Sequence, residues 1–210
     1  MVNNVKVLIA SNRHDFVTSI SNALVSIGSR NQPQVIGDMQ ELLSSIKTVD
    51  EPVIIADKYF FGLYLQIRIN IIKCMSKKAK ILFCDSGTNQ IHFGYRLYKI
   101  GADGFINGME NGYEFTKALT EFFDILRFFS EDIKEGINNG ALIDCRNFIA
   151  EITSTEMSVV LAKANGMASK EYPGMHQGQF NYKLLCFKRK CGITNDGELY
   201  ILLRGLGLCE

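Results

Sequence analysis

The feature that most limits how this chain folds is an alternation, repeated five times over its first 125 residues, of short β-branched runs with amphipathic stretches. That order predicts a parallel sheet with helices on both faces, because parallel strands need a crossover of helix length between them. The strand-like runs are Val5 to Ala10, Pro33 to Ile36, Pro52 to Ala56, Lys80 to Cys84 and Gly104 to Ile106. Those at the centre are apolar on successive residues, as strands covered on both faces must be. Between them, apolar residues recur at helical spacing. Phe16, Ile20, Leu24 and Ile27 follow Asp15, and Leu42, Leu43 and Ile46 follow Asp38. Tyr64, Ile67, Ile71 and Ile72 form a third face, and Ile91, Phe93, Tyr95, Leu97 and Ile100 a looser fourth. Phe115, Leu119, Phe122 and Ile125 make a fifth, read as continuing through Phe128 and Phe129.

The apolar period breaks from Ser130 to Arg146, where Gly136, Asn138, Asn139 and Gly140 crowd together. The expected division is therefore an α/β domain over 1–129, a linker over 130–149 and an all-α unit over 150–210. In the last unit Thr153-Ser154-Thr155-Glu156 is a capping pattern ahead of Met157, Val159, Val160 and Leu161, and Gly166 closes that helix. A short helix over Ala168 to Tyr172 is expected to stop at Pro173-Gly174. A third, from about Gly178 to Cys191, carries Phe180, Leu184, Phe187 and Cys191 on one face, and a fourth begins near Asn195 with Leu199, Ile201, Leu202 and Leu203.

Composition closes off several classes. With 210 residues, 47% of them hydrophobic and 21% charged, the chain has the balance of a folded globular protein rather than a disordered or collagenous one. Apolar runs such as Val53 to Ala56 fall far short of the roughly 18 to 20 residues that cross a bilayer, so no membrane association is expected. The N-terminus lacks the layout of a signal peptide, which predicts a cytoplasmic protein. The six cysteines form no C-x-x-C, and His14, His92 and His176 are scattered, so no metal and no cofactor is expected. No catalytic triad can be assembled from local motifs, and the chain is read as a non-enzyme. Net charge is +1, with 13 basic against 12 acidic residues in 1–125 and 7 against 6 in 150–210. Within 176–195, however, Lys183, Lys188, Arg189 and Lys190 meet no acid, a local patch suited to phosphates.

The string ITSTEMSVVLAKANGMASKE (152–171) resembles the LTxREREVLxLxAxGxSNKE of the LuxR/NarL (FixJ) class of bacterial response regulators. GQFNYKLLCFKRKCGI (178–193) is similar to that family's KTVKNHRSNIMRKLGV. In the first half, VLIASNRHDF (7–16), VIIADK (53–58) and GADGFING (101–108) resemble the receiver segments VLIADDHPLV, VVLLDL and GAxGYLLK. The resemblance covers nearly the whole chain. It implies a doubly wound, flavodoxin-like receiver domain followed by an all-α, four-helix helix-turn-helix domain.

In a working receiver, the family implies, two adjacent carboxylates bind Mg²⁺, a third accepts a phosphoryl group and a lysine pairs with it. Here the first two positions are Ser11 and Asn12, the lysine position is Gly108, and only Asp57 survives at the phosphoacceptor place. The switch hydroxyl falls at Asp85 or Ser86. Magnesium prefers hard anionic oxygens, and without it or the lysine the charge on a transferring phosphoryl group is not offset. The expectation is a pseudo-receiver, with Asp57 a surface carboxylate, a hydrogen-bonded relic or a poor phosphoacceptor. Tyr59, Phe60 and Phe61 either cover the old pocket or form a partner surface, with cover preferred. His14 is read as a polar residue at the entry to the first helix.

The helix-turn-helix also departs from the pattern: Pro173 stands where its supporting helix would continue, and a proline cannot sustain helical hydrogen bonding. The helix from Gly178 still offers Gln179 and Asn181, which can pair bidentately with adenine. Tyr182, Lys183 and Leu185 lie at or beside the family's contact positions, with Leu185 replacing a common polar residue. Lys188, Arg189 and Lys190 are expected to hold backbone phosphates. Leu199 to Leu206 is similar to the family's dimer helix. The reading is a DNA-binding transcription regulator acting independently of phosphorylation. Its expected partners are double-stranded DNA and a second regulator, as homodimer or heterodimer. The alternative is an interaction protein that binds another transcription factor rather than DNA.

Overall fold

The computed structural model describes residues 5–62, 65–85, 91–109, 111–139, 153–190 and 195–205. The first five strand–helix units are β1 (Val7–Ala10), α1 (His14–Ser26), β2 (Gln34–Ile36), α2 (Met39–Thr48), β3 (Val53–Asp57), α3 (Leu65–Met75), β4 (Lys80–Asp85), α4 (Ile91–Lys99), β5 (Gly104–Asn107) and α5 (Gly112–Ile125). A sixth strand, β6 (Phe128–Phe129), and α6 (Glu131–Asn138) complete this part, and α7 (Ser154–Ala164), α8 (Gln177–Lys190) and α9 (Asp196–Gly205) follow. The sheet is parallel throughout, in the order β2-β1-β3-β4-β5-β6. This is a doubly wound α/β sheet followed by a helical unit.

The two-residue period of the strands sorts their side chains into two cores. Val7, Ile9, Val53, Ile55, Leu82 and Cys84 face α1 and α5, where Phe16, Ile20, Leu24, Phe115, Leu119 and Phe122 cover them. Leu8, Ala10, Ile54, Ala56, Ile81 and Phe83 point to the other face, toward α2, α3 and α4. This second core does not stop at the helices. It continues through Met157 and Val160 of α7 to Phe180, Phe187, Leu199 and Leu203 of the helical unit. Helix α3 explains why: its buried Leu65, Ile67, Ile69, Ile71 and Ile72 spread beyond the single stripe that faces the sheet, and such a helix needs cover on more than one side. The second cover is α7, which packs against α3 and brings the Ser154 carbonyl to 3.9 Å from the Cys74 thiol. The Thr153–Glu156 capping box forms as expected, with the Thr153 Oγ1 accepting from the Glu156 N–H at 3.2 Å and the Glu156 carboxylate from the Thr153 N–H at 2.8 Å.

Three local expectations are corrected. Phe128 and Phe129 do not extend α5. Leu126 turns into the left-handed region (φ +52°), which ends the helix, and the two phenylalanines pair in parallel with Gly104 and Phe105. The stretch read as a linker begins with α6, whose Ile133 is buried. Gly136, which looked like a breaker, permits close approach instead: a Cβ on it would run into the Tyr95 hydroxyl, as one on Gly94 of α4 would into the Ile133 side chain. Ala168 to Tyr172 is a run of turns, not a helix, closed by the Glu171 N–H to the Ala168 carbonyl at 2.9 Å. Pro173 cannot donate the next helical hydrogen bond, and Gly174 supplies a left-handed turn at φ +75°. Among the described residues no helix is long and apolar enough to cross a membrane.

Candidate functional site

Two places gather the polar residues singled out by sequence. The first lies at the carboxyl ends of β1, β3 and β4, where the chain leaves β1 for one side of the sheet and later returns on the other. Asp57 ends β3 and Asp85 ends β4, each 3% exposed, and Ser11 follows β1 with the same exposure. The Ser11 hydroxyl donates to Asp57 Oδ2 at 3.1 Å, and the Tyr59 N–H donates to Asp57 Oδ1 at 2.6 Å. Arg13 approaches the same carboxylate, its Nε 4.0 Å from Oδ2, while its backbone N–H is held by the Ser11 hydroxyl at 3.0 Å. Asp85 is served separately: Lys58 Nζ donates to its Oδ2 at 2.7 Å, and its carbonyl accepts from the Gly108 and Met109 N–H groups at 3.0 and 3.2 Å. Gly108 makes that turn at φ +78°.

The site therefore assembles Ser11, Asp57, Asp85 and Gly108, while Asn12 stays exposed at its rim. Ser86, the other position considered for the switch, lies outside the described residues. Sequence reading passed over Arg13 and Lys58, although Lys58 directly follows Asp57. Two carboxylates thus face two cations. Burial is the strongest influence on Lys58 and lowers its pKa, but the bond to Asp85, with contributions from Tyr59 and the Asp85 charge, outweighs it and holds the ammonium above the ordinary lysine value. Arg13 is also raised, chiefly by its hydrogen bond to Asp15. For Mg²⁺ these residues are a poor fit. A hydroxyl and an amide replace the anionic oxygens it prefers, and the carboxylate that remains already accepts two hydrogen bonds beside a guanidinium. The three aromatics after Lys58 divide: Phe61 is fully buried 5.3 Å from the Phe83 ring, whereas Tyr59 is exposed and has Lys58 over its ring.

The second place is α8. Its inner side is Phe180, Leu184 and Phe187, exposed by 1%, 9% and 0%. Opposite them Gln179, Asn181, Tyr182 and Leu185 are exposed, and among the described residues none covers this face. Lys183 is half-buried. Lys188 reaches across to α9 and pairs with Asp196 instead of facing outward; its side chain is 15% exposed. That hydrogen bond holds the Asp196 carboxyl below the usual carboxylate range. The pair spans two helices and leaves no periodic trace in the sequence. The side chains of Arg189 and Lys190 lie outside the described residues, as does Leu206 at the end of the expected dimer helix. His176 caps the start of α8, its Nδ1 accepting from the Gly178 N–H at 3.1 Å.

No protein-family model matches the chain, and no curated protein matches it either. Solved structures do. Two structures of the Salmonella typhimurium RcsB response regulator align at TM-scores of 0.52 and 0.51 with 19% identity, covering 96% and 97% of this chain and 99% and 98% of theirs. The isolated receiver domain of RcsB from Salmonella enterica serovar Typhimurium, in the presence of a phosphomimetic, aligns over 63% of this chain and 98% of its own at a TM-score of 0.51. The chain thus shares the fold of these structures, a parallel α/β sheet ahead of a helical domain.

Proposed function

We propose that this chain is a DNA-binding transcription regulator of bacterial type, acting in the cytoplasm, with a receiver-like part that works without phosphorylation. In this reading residues 1–129, together with α6, form the receiver-like part, and 150–210 form the DNA-binding part. The observation that carries it is α8: a helix seated by three buried apolar side chains, free of acids, and presenting amides on an exposed face. Structures of similar fold describe RcsB bound to a promoter and two RcsB dimers bound to two parallel DNAs, which supports double-stranded DNA and a second copy or a related regulator as partners. Gln179, Asn181, Tyr182 and Leu185 would meet base edges, and Lys183, Arg189 and Lys190 the phosphates. Lys188 leaves the clamp, its charge being spent on Asp196. In the receiver-like part Arg13 and Lys58 compensate the carboxylates that a metal and a phosphoryl group would otherwise engage.

The test is an electrophoretic shift on double-stranded DNA over a range of salt, with and without acetyl phosphate and Mg²⁺. Wild type retains DNA at low salt. The Lys183→Ala/Arg189→Ala/Lys190→Ala variant binds every sequence more weakly, with a salt slope shallower by about one for each phosphate no longer neutralised. The phosphodonor neither labels Asp57 nor changes retention. DNA ignored at low salt, or Asp57 labelled with a gain in binding, would overturn the corresponding half of the proposal. A second reading, docking to another regulator, is favoured by the turn that replaces the supporting helix. A protein partner held by the α8 face with no DNA retained would select it.

A further inference from the structure

We infer that Tyr182 and Leu185 make α8 a reader of thymine methyl groups, so that the base sequence this chain prefers is set by apolar contact as much as by hydrogen bonding. The inference rests on the DNA-binding reading above and names what that face reads. Gly178, Tyr182 and Leu185 fall at i, i+4 and i+7, which puts them on one line along the helix, and that line lies opposite the buried Phe180, Leu184 and Phe187. Tyr182 is 60% exposed and Leu185 43%, so the part of α8 that projects farthest from its own domain is apolar. Asn181 and Gln179 flank that line, both exposed, and no acid occurs on the helix.

A face that met only water or phosphates would gain nothing from a leucine and a tyrosine at its crest. Among the base edges of the major groove, the thymine C5-methyl is the one apolar group, and it lies beside the edge of its paired adenine, which Asn or Gln reads bidentately. An apolar crest between two amides therefore matches a groove of A·T pairs. Gly178 at the start of the line carries no side chain that would hold the helix away from the groove floor. The positive charge that Lys183, Arg189 and Lys190 give this helix, Arg189 following Leu185 along the same line, complements a duplex and disfavours a basic protein surface.

The experiment selects binding sites for the full-length chain from a pool of random-sequence duplexes, then replaces thymines of the selected site one at a time by uracil. That change removes the methyl and leaves every hydrogen-bonding group in place. The expected result is a site rich in A·T pairs, in which uracil at one or two positions weakens binding about fourfold each, the factor that one buried methyl group is worth. Leu185→Ala and Tyr182→Ala, both at exposed positions, should fold as the parent does by circular dichroism and each lose the penalty at one of those positions. A selected site bound equally well with uracil throughout would overturn this inference and leave the DNA-binding reading standing. Retention without a preferred sequence would overturn this inference alone, and a pool from which no duplex is retained at low salt would overturn both.

Discussion

At the scale of single residues, what distinguishes the pocket at the ends of β1, β3 and β4 is that its charges are already matched. Asp85 is almost wholly buried and is paired with Lys58 at 2.7 Å. Removing one member of such a pair leaves a buried charge without compensation, whereas removing both can be nearly neutral. Lys58→Met should therefore cost about 2–3 kcal/mol in urea unfolding. Adding Asp85→Asn should recover most of that loss, a coupling that a double-mutant cycle reads directly. An additive double mutant would show that the two groups are not coupled. Asp57 differs, being held by a hydroxyl, a backbone N–H and a more distant guanidinium.

At the scale of elements, α8 is fixed by burial on one side only. Phe180 and Phe187 are nearly inaccessible, and Tyr172 lies 5.4 Å from the Phe180 ring, so the turn that replaces the expected helix still contributes an aromatic to the seat. Truncating a fully buried phenylalanine loses both its transfer free energy and the packing around the space it leaves. Phe187→Ala is expected to destabilise the helical unit by about 3–4 kcal/mol in thermal unfolding followed by circular dichroism, with loss of DNA retention in parallel. A fall below about 1 kcal/mol would mean that α8 is held by something other than its apolar side. The packing of α4 on α6 shows the complementary device, in which two glycines let helices meet closer than any larger residue allows.

At the scale of the whole molecule, the two parts meet through α3 and α7. The apolar residues of α3 spread over more than one face, so a receiver-like domain standing alone would leave part of them in water; here α7 covers that part while the outer face of α8 is exposed. This packing predicts that a cysteine placed at Ser154 will bond to the native Cys74 under mild oxidation, seen as a faster band on non-reducing electrophoresis, and that the cross-linked protein will bind DNA as the reduced form does. A cross-link that fails to form would disprove the packing of α7 on α3, and one that abolishes binding would show that the parts must separate to work.

The period of apolar residues determined by itself the alternating α/β order, the helices α1 to α4, the body of α5 and the inner face of α8, and the Thr153–Glu156 spacing determined the capping box, because each depends on neighbours within a few positions along the chain. Ser11, Asp57, Asp85 and Gly108 were legible as one pocket only through the resemblance to receiver segments, and the folded sheet joins them because parallel strands bring their carboxyl ends together. Tertiary structure alone decided the rest. Lys58 turned to Asp85, Lys188 to Asp196, Phe128 and Phe129 to the sheet edge, and α7 to α3. Each of these joins residues beyond the reach of the local period, and the energy that selects them comes from burial and charge pairing that exist only once the chain has closed on itself.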